Sequence, residues 1–123
     1  KMVAAVRAMS WVEFSRAIEA AYRRDGYDIT AVNAAAADFR IRKDWRIALV
    51  SCKRWKAART GIEPLQDLHA AKEAHDAQEC IYVTTGELTD KARAFAGKHA
   101  IRLVGGSELA RLLPGVGRGK KAA

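Results

Sequence analysis

Apolar side chains recur at Trp11, Phe14, Ile18 and Tyr22, with Ala17 and Ala21 beside them. That spacing is one face of an α-helix. Ser10 precedes it and Glu13 follows three residues on, the pair that closes a capping box, while Gly26 supplies the stop. Tyr27–Val32 alternates weakly and reads as a strand, followed by a small-residue connection over Asn33–Ala37. Residues Asp38–Arg42 and Arg46–Lys53 alternate on either side of Asp44-Trp45, the pattern of a β-hairpin. Arg54–Gly61 reads as a basic loop, and Pro64 suits the first turn of a second helix reaching about Asp76. Cys80–Thr85 is a short β-rich strand closed by Gly86. Thr89 caps a third helix through about His99, with Ala92, Phe95 and Ala96 facing inward. Ile101–Val104 is a further strand ended by Gly105-Gly106. Ser107 is expected to cap a last helix to Leu113, which Pro114 stops.

The predicted order is α-β-β-β-α-β-α-β-α. An antiparallel meander followed by βαβ-type units implies an α/β fold with a mixed central sheet and helices on both faces. The 123 residues suit one domain. We expect a lead-in over 1–9, the domain over 10–113 and a flexible basic tail over 114–123.

A tight turn at Asp44-Trp45 sets Asp38 across from Ser51, Phe39 from Val50 and Ile41 from Ala48. Side chains alternate between the faces of a strand, so Phe39, Ile41, Ala48, Val50 and Cys52 share an apolar face. Asp38, Ser51 and Lys53 share the other. Opposed residues have Cβ atoms about 4.5–5.5 Å apart, which brings a carboxylate, a hydroxyl and an ammonium together. From spacing alone, this trio is either an ion pair on a half-exposed sheet face or a reactive site.

Charge narrows the partners. The net charge is +8, and only three of those charges, Arg118, Lys120 and Lys121, lie in the tail. A basic domain favours a polyanionic partner, and nucleic acid suits it better than a membrane because no basic amphipathic helix with exposed aromatics stands out. The run Lys53-Arg54-Trp55-Lys56 with Arg59 interleaves cations with an aromatic ring, suited to gripping phosphates and laying a ring on sugar or base. No stretch of apolar residues is long enough to span a bilayer, and no signal peptide is visible. Cys52 and Cys80 suit a reduced, cytoplasmic setting. His69, His75 and His99 show no metal-ligand spacing and are expected to lie apart, which argues against a zinc site. The chain begins at Lys1, as expected of a piece of a longer protein.

Five stretches in order resemble the Mrr-type restriction endonuclease domain, a branch of the PD-(D/E)xK nuclease superfamily. They are WVEFSRAIEAAYRRDGY, SCKRWK, GIEPLQDLHAA, VTTGELTDKARAFA and IRLVGGSELARLL. The resemblance spans about Ser10 to Leu113. It implies the restriction-endonuclease-like fold, DNA as partner, and Mg²⁺ or Mn²⁺ with no small-molecule cofactor. It further implies that Asp38 is a metal ligand and that Lys53 positions the attacking water. The second ligand position, usually Gln or Glu, is Ser51 here. The acid expected on the first helix is replaced by Ser15, with Glu19 one turn later as a substitute ligand. The approach to the Asp, glycine-rich in the family, reads NAAAAD.

Mg²⁺ needs hard oxygen ligands, including one or two carboxylates. With serine at two expected positions, and Lys53 cancelling the charge of Asp38, weak metal binding is the expectation. Two readings follow for a bacterial, cytoplasmic protein: a metal-dependent DNA endonuclease, or a nuclease fold that binds DNA without cleaving it. An interaction domain of a larger, membrane-tethered protein is a third. Whether the chain forms a homodimer stays open.

Overall fold

A computed structural model describes residues 9–52 and 57–112. Helix α1 (Trp11–Arg24) begins with the expected box, since Ser10 Oγ accepts from Glu13 N–H while Glu13 Oε1 accepts from Ser10 N–H. It ends in a Schellman motif. Gly26, at φ 95°, donates to Arg23 O, and Tyr27 N–H reaches back to Tyr22 O. The Tyr22 and Tyr27 rings close this turn edge to face at 5.6 Å.

Three antiparallel strands follow, β1 (Asp28–Ala34), β2 (Ala37–Lys43) and β3 (Arg46–Ser51). Strand β1 runs two residues past its expected end, and a bulge between Ala31 and Ala34 absorbs the mismatch with β2. The β2–β3 register is the expected one, with Phe39 opposite Val50 and Ile41 opposite Ala48. Asp44 takes φ 57° at the turn, a conformation that Asp tolerates better than most residues.

After a short strand β4 (Arg59–Thr60) comes helix α2 (Glu63–Ala70), with Pro64 in its first turn. This helix stops well short of Asp76. Ala71 N–H bonds both Asp67 O and Leu68 O, so the last turn tightens, and a separate 3₁₀ turn over Glu73–His75 ends at Asp76 in the left-handed region. Strand β5 (Glu79–Val83), short strand β6 (Glu87–Leu88), helix α3 (Asp90–Lys98, capped by Thr89), strand β7 (Ile101–Val104) and helix α4 (Gly106–Leu112) complete the described chain. Helix α4 starts earlier than expected. Gly105 O accepts from Leu109 N–H, so Ser107 falls inside the first turn and not at its cap.

The main sheet has the order β1-β2-β3-β5-β7, antiparallel through β3 and parallel from β3 to β7. Strands β4 and β6 form a second, parallel pair that the sequence pattern did not signal. Helices lie on both faces. On one, Phe14 and Ile18 of α1 and Leu109 of α4 pack over Phe39, Ile41, Val50 and Val83. On the other, Leu65 and Leu68 of α2 and Ala92 and Ala96 of α3 cover Leu49, Tyr82 and Ile101. Each fully buried Leu, Ile or Phe contributes on the order of 1.5–3 kcal/mol, so both layers stabilise the sheet between them.

Candidate functional site

The pairing of β2 with β3 brings the amino end of β2 beside the carboxyl end of β3. Asp38 is buried at the first and Ser51 at the second. Oδ2 of Asp38 accepts the backbone N–H of Cys52 at 2.7 Å. A carboxylate accepting a buried amide is a charge-assisted hydrogen bond, stronger than a neutral one. The Cys52 side chain lies in the core beneath α1, as the alternation predicts. Lys53, Arg54, Trp55 and Lys56 lie outside the described residues.

Ser51 opens onto a cleft of about 560 Å³ at the carboxyl ends of β3 and β5. In open α/β sheets this is where ligands settle, because helix amino ends and loops meet there. Arg59, Thr60, Glu63, Asp67 and Tyr82 line it with Ser51. Arg59 is exposed on β4, and Glu63 and Asp67 lie one turn apart on α2. None of these three charged groups is in an ion pair among the described residues. Asp38 is not among the residues lining the cleft. The turn before β6 packs tightly at Gly86. A Cβ there would collide with the backbone of Ala57 and Ala58, whose carbonyl accepts from Glu87 N–H at 2.9 Å. Oγ1 of the buried Thr84 accepts from Gly86 N–H and holds the loop down.

Ser15 and Glu19 sit on α1. The hydroxyl of Ser15 donates to Val12 O at 3.2 Å, and Glu19 pairs with Arg23 at 3.6 Å. Among the described residues, the strand pair is a weak donor set for a resident Mg²⁺. It offers one carboxylate, with one of its two oxygens accepting an amide, and one neutral hydroxyl. Among the described residues no three His, Cys, Asp or Glu side chains gather to hold a metal.

Sequence spacing misplaced the histidines. His69 of α2 and His99, the residue capping α3, are in ring contact, with centroids 4.4 Å apart. Phe95 packs on both. Their meeting depends on α2 packing against α3, which no local pattern records. The Nδ1 of His69 is buried without a hydrogen-bond partner among the described residues. Burial, then the neighbouring His99 and Lys72, hold the His69 pKa below its ordinary value. Neither Cys52 nor Cys80 is in a disulfide, and both are buried, in the cores on opposite faces of the sheet. Burial pushes the Cys80 thiol up to about 11. Among the described residues no helix is long and apolar enough to cross a membrane.

The sequence model of one family, described as restriction endonuclease (the Mrr catalytic domain), matches residues 6–113. No curated protein matches the chain. Among solved structures, the crystal structure of AF1548, a protein of unknown function, superposes with a TM-score of 0.60 at 16% identity. The match covers 73% of this chain and 56% of that one, so this chain spans little more than half of its structural relative. At that identity the likeness is one of fold.

Proposed function

The chain belongs to the Mrr-type restriction endonuclease family, and from that premise we propose that it is a DNA-binding domain whose strand-pair site no longer supports efficient cleavage. The observation that carries this reading is the pairing of Asp38 with the Cys52 amide at 2.7 Å, beside a serine. One oxygen of the carboxylate that the resemblance assigns to metal is taken up in holding β2 against the end of β3. Ser51 brings no charge to replace it.

DNA is the substrate that a nuclease domain implies, and the basic balance of the chain agrees with it. Arg59 on the rim of the cleft, with Arg54, Trp55 and Lys56 earlier in the same connection, supplies the phosphate-gripping groups. Contacts to phosphate carry affinity without reading sequence, so binding is non-specific and salt-dependent. Anisotropy of a labelled duplex, titrated in EDTA across a range of salt, tests this. Binding that weakens steeply with salt supports the reading, and absence of binding at about 50 mM salt contradicts it.

Cleavage is the second reading. It is favoured by the retention of both Asp38 and Lys53, the two positions that the family resemblance assigns to ligand and water. In that reading Lys53 positions the attacking water and the metal is Mg²⁺ or Mn²⁺.

A further inference from the structure

The acids of the cleft do not belong to the strand pair. Glu63 and Asp67 are four residues apart on α2, so their Cβ atoms lie about 5–6 Å apart on one helix face, and both line the cleft. Neither carboxylate is in an ion pair among the described residues. A second observation concerns Thr60, which lines the same cleft and is 3% exposed. Its Oγ1 is buried with no hydrogen-bond partner among the described residues. A buried hydroxyl left unpaired costs about 1–3 kcal/mol, so a ligand or ion-bound water meeting it recovers that loss.

All these groups are hard oxygen donors: two carboxylates, the Thr60 hydroxyl and the Ser51 hydroxyl. A hard divalent cation of the Mg²⁺ or Mn²⁺ class is held through one or two carboxylates, with water filling its other positions. Two unpaired carboxylates would also repel a phosphate backbone drawn in by the basic domain, and a cation removes that repulsion. We propose that the cleft is a divalent-cation site built by Glu63 and Asp67 on α2, separate from Asp38. The site does not depend on the DNA reading. If both hold, phosphate occupies the open positions of the ion and Arg59 flanks it, so Mg²⁺ tightens DNA binding.

Electron paramagnetic resonance of Mn²⁺ tests the proposal on the whole chain without DNA, through the loss of the free-ion signal. The expected result is one bound ion per chain, competed by Mg²⁺. Affinity should weaken tenfold or more in Glu63→Gln and in Asp67→Asn, and binding should vanish in the double variant. Both positions are exposed, so the variants should keep the wild-type circular dichroism and melting temperature. Glu73→Gln, which removes the same charge away from the cleft, should bind Mn²⁺ like the wild type. No Mn²⁺ binding by the wild type at millimolar concentration, or unchanged binding in the double variant, overturns the proposal. Equal weakening in Glu73→Gln also overturns it, since net charge would then explain the effect. The DNA titration in EDTA is read separately. Failure there with Mn²⁺ still bound removes the DNA reading alone.

Discussion

Asp38 holds the amide of Cys52 at 2.7 Å, and both residues are buried. The chain leaves β3 at this point, so the hydrogen bond fixes where the strand ends. A residue assigned by resemblance to chemistry also fastens the strand end. Asp38→Ala removes the charged acceptor of the Cys52 N–H. We expect a loss of about 1.5–3 kcal/mol in urea unfolding, the range for a hydrogen bond to a charged group. A loss below about 0.5 kcal/mol, the usual scatter for surface substitutions, would show that the bond does not hold the strand end.

Gly86→Ala should also destabilise, by about 1–3 kcal/mol, because the new methyl meets backbone and no flexible side chain can give way. The strands β4 and β6 carry the strain, so the Thr85-Gly86 loop should lose amide-exchange protection at Glu87 and Thr89 first, where N–H groups bond Ala58 O and Thr60 O. Protection unchanged at both amides would mean that the loop relaxes without cost.

The hairpin, the caps of α1 and α3 and the strands themselves were legible because each is written in local pattern. Alternation fixed Phe39 against Val50, and Ser10 with Glu13 marked the start of α1. What was hidden depends on distant pieces meeting. His69 and His99 touch only because α2 and α3 pack together, and Glu63 shares a cleft with Ser51 only because α2 packs beside β5. The break after Ala70 was hidden for another reason. Its helix formers, Ala71, Ala74 and Lys72, continue past it, and only the left-handed turn at Asp76 sets the chain towards β5.

The burial of His69, with His99 beside it, should make stability depend on pH. The folded pKa of His69 lies below its ordinary value of about 6.5, so the folded state favours the neutral ring. Its contribution is fully present above that unfolded value and is lost as pH falls through it towards the lower folded value. Melting temperature should therefore fall between about pH 7.5 and pH 5, and His69→Phe should flatten part of that fall. An identical slope in the variant would show that His69 takes no part.

Neutralising phosphate contacts should change the salt dependence of DNA binding more than its sequence preference. Each of Arg54, Lys56 and Arg59 that meets a phosphate should lower the slope of log affinity against log salt by roughly 0.9 when replaced by Ala. A triple variant that keeps both affinity and slope would remove these residues from the interface.

The central claim, binding without efficient cleavage, is tested most directly by plasmid nicking with Mg²⁺ or Mn²⁺ beside DNA binding on the same protein. The wild type should bind and leave the supercoiled plasmid intact or nick it slowly. Ser51→Glu should raise nicking, and Ser15→Glu combined with it should raise it again. A carboxylate about 4 Å from a unit charge is worth about 4 kcal/mol at an effective dielectric near 20, before desolvation. Even about 1.4 kcal/mol of that is tenfold in occupancy. Rapid cleavage by the wild type, abolished by Asp38→Ala in protein that remains folded, would contradict the account.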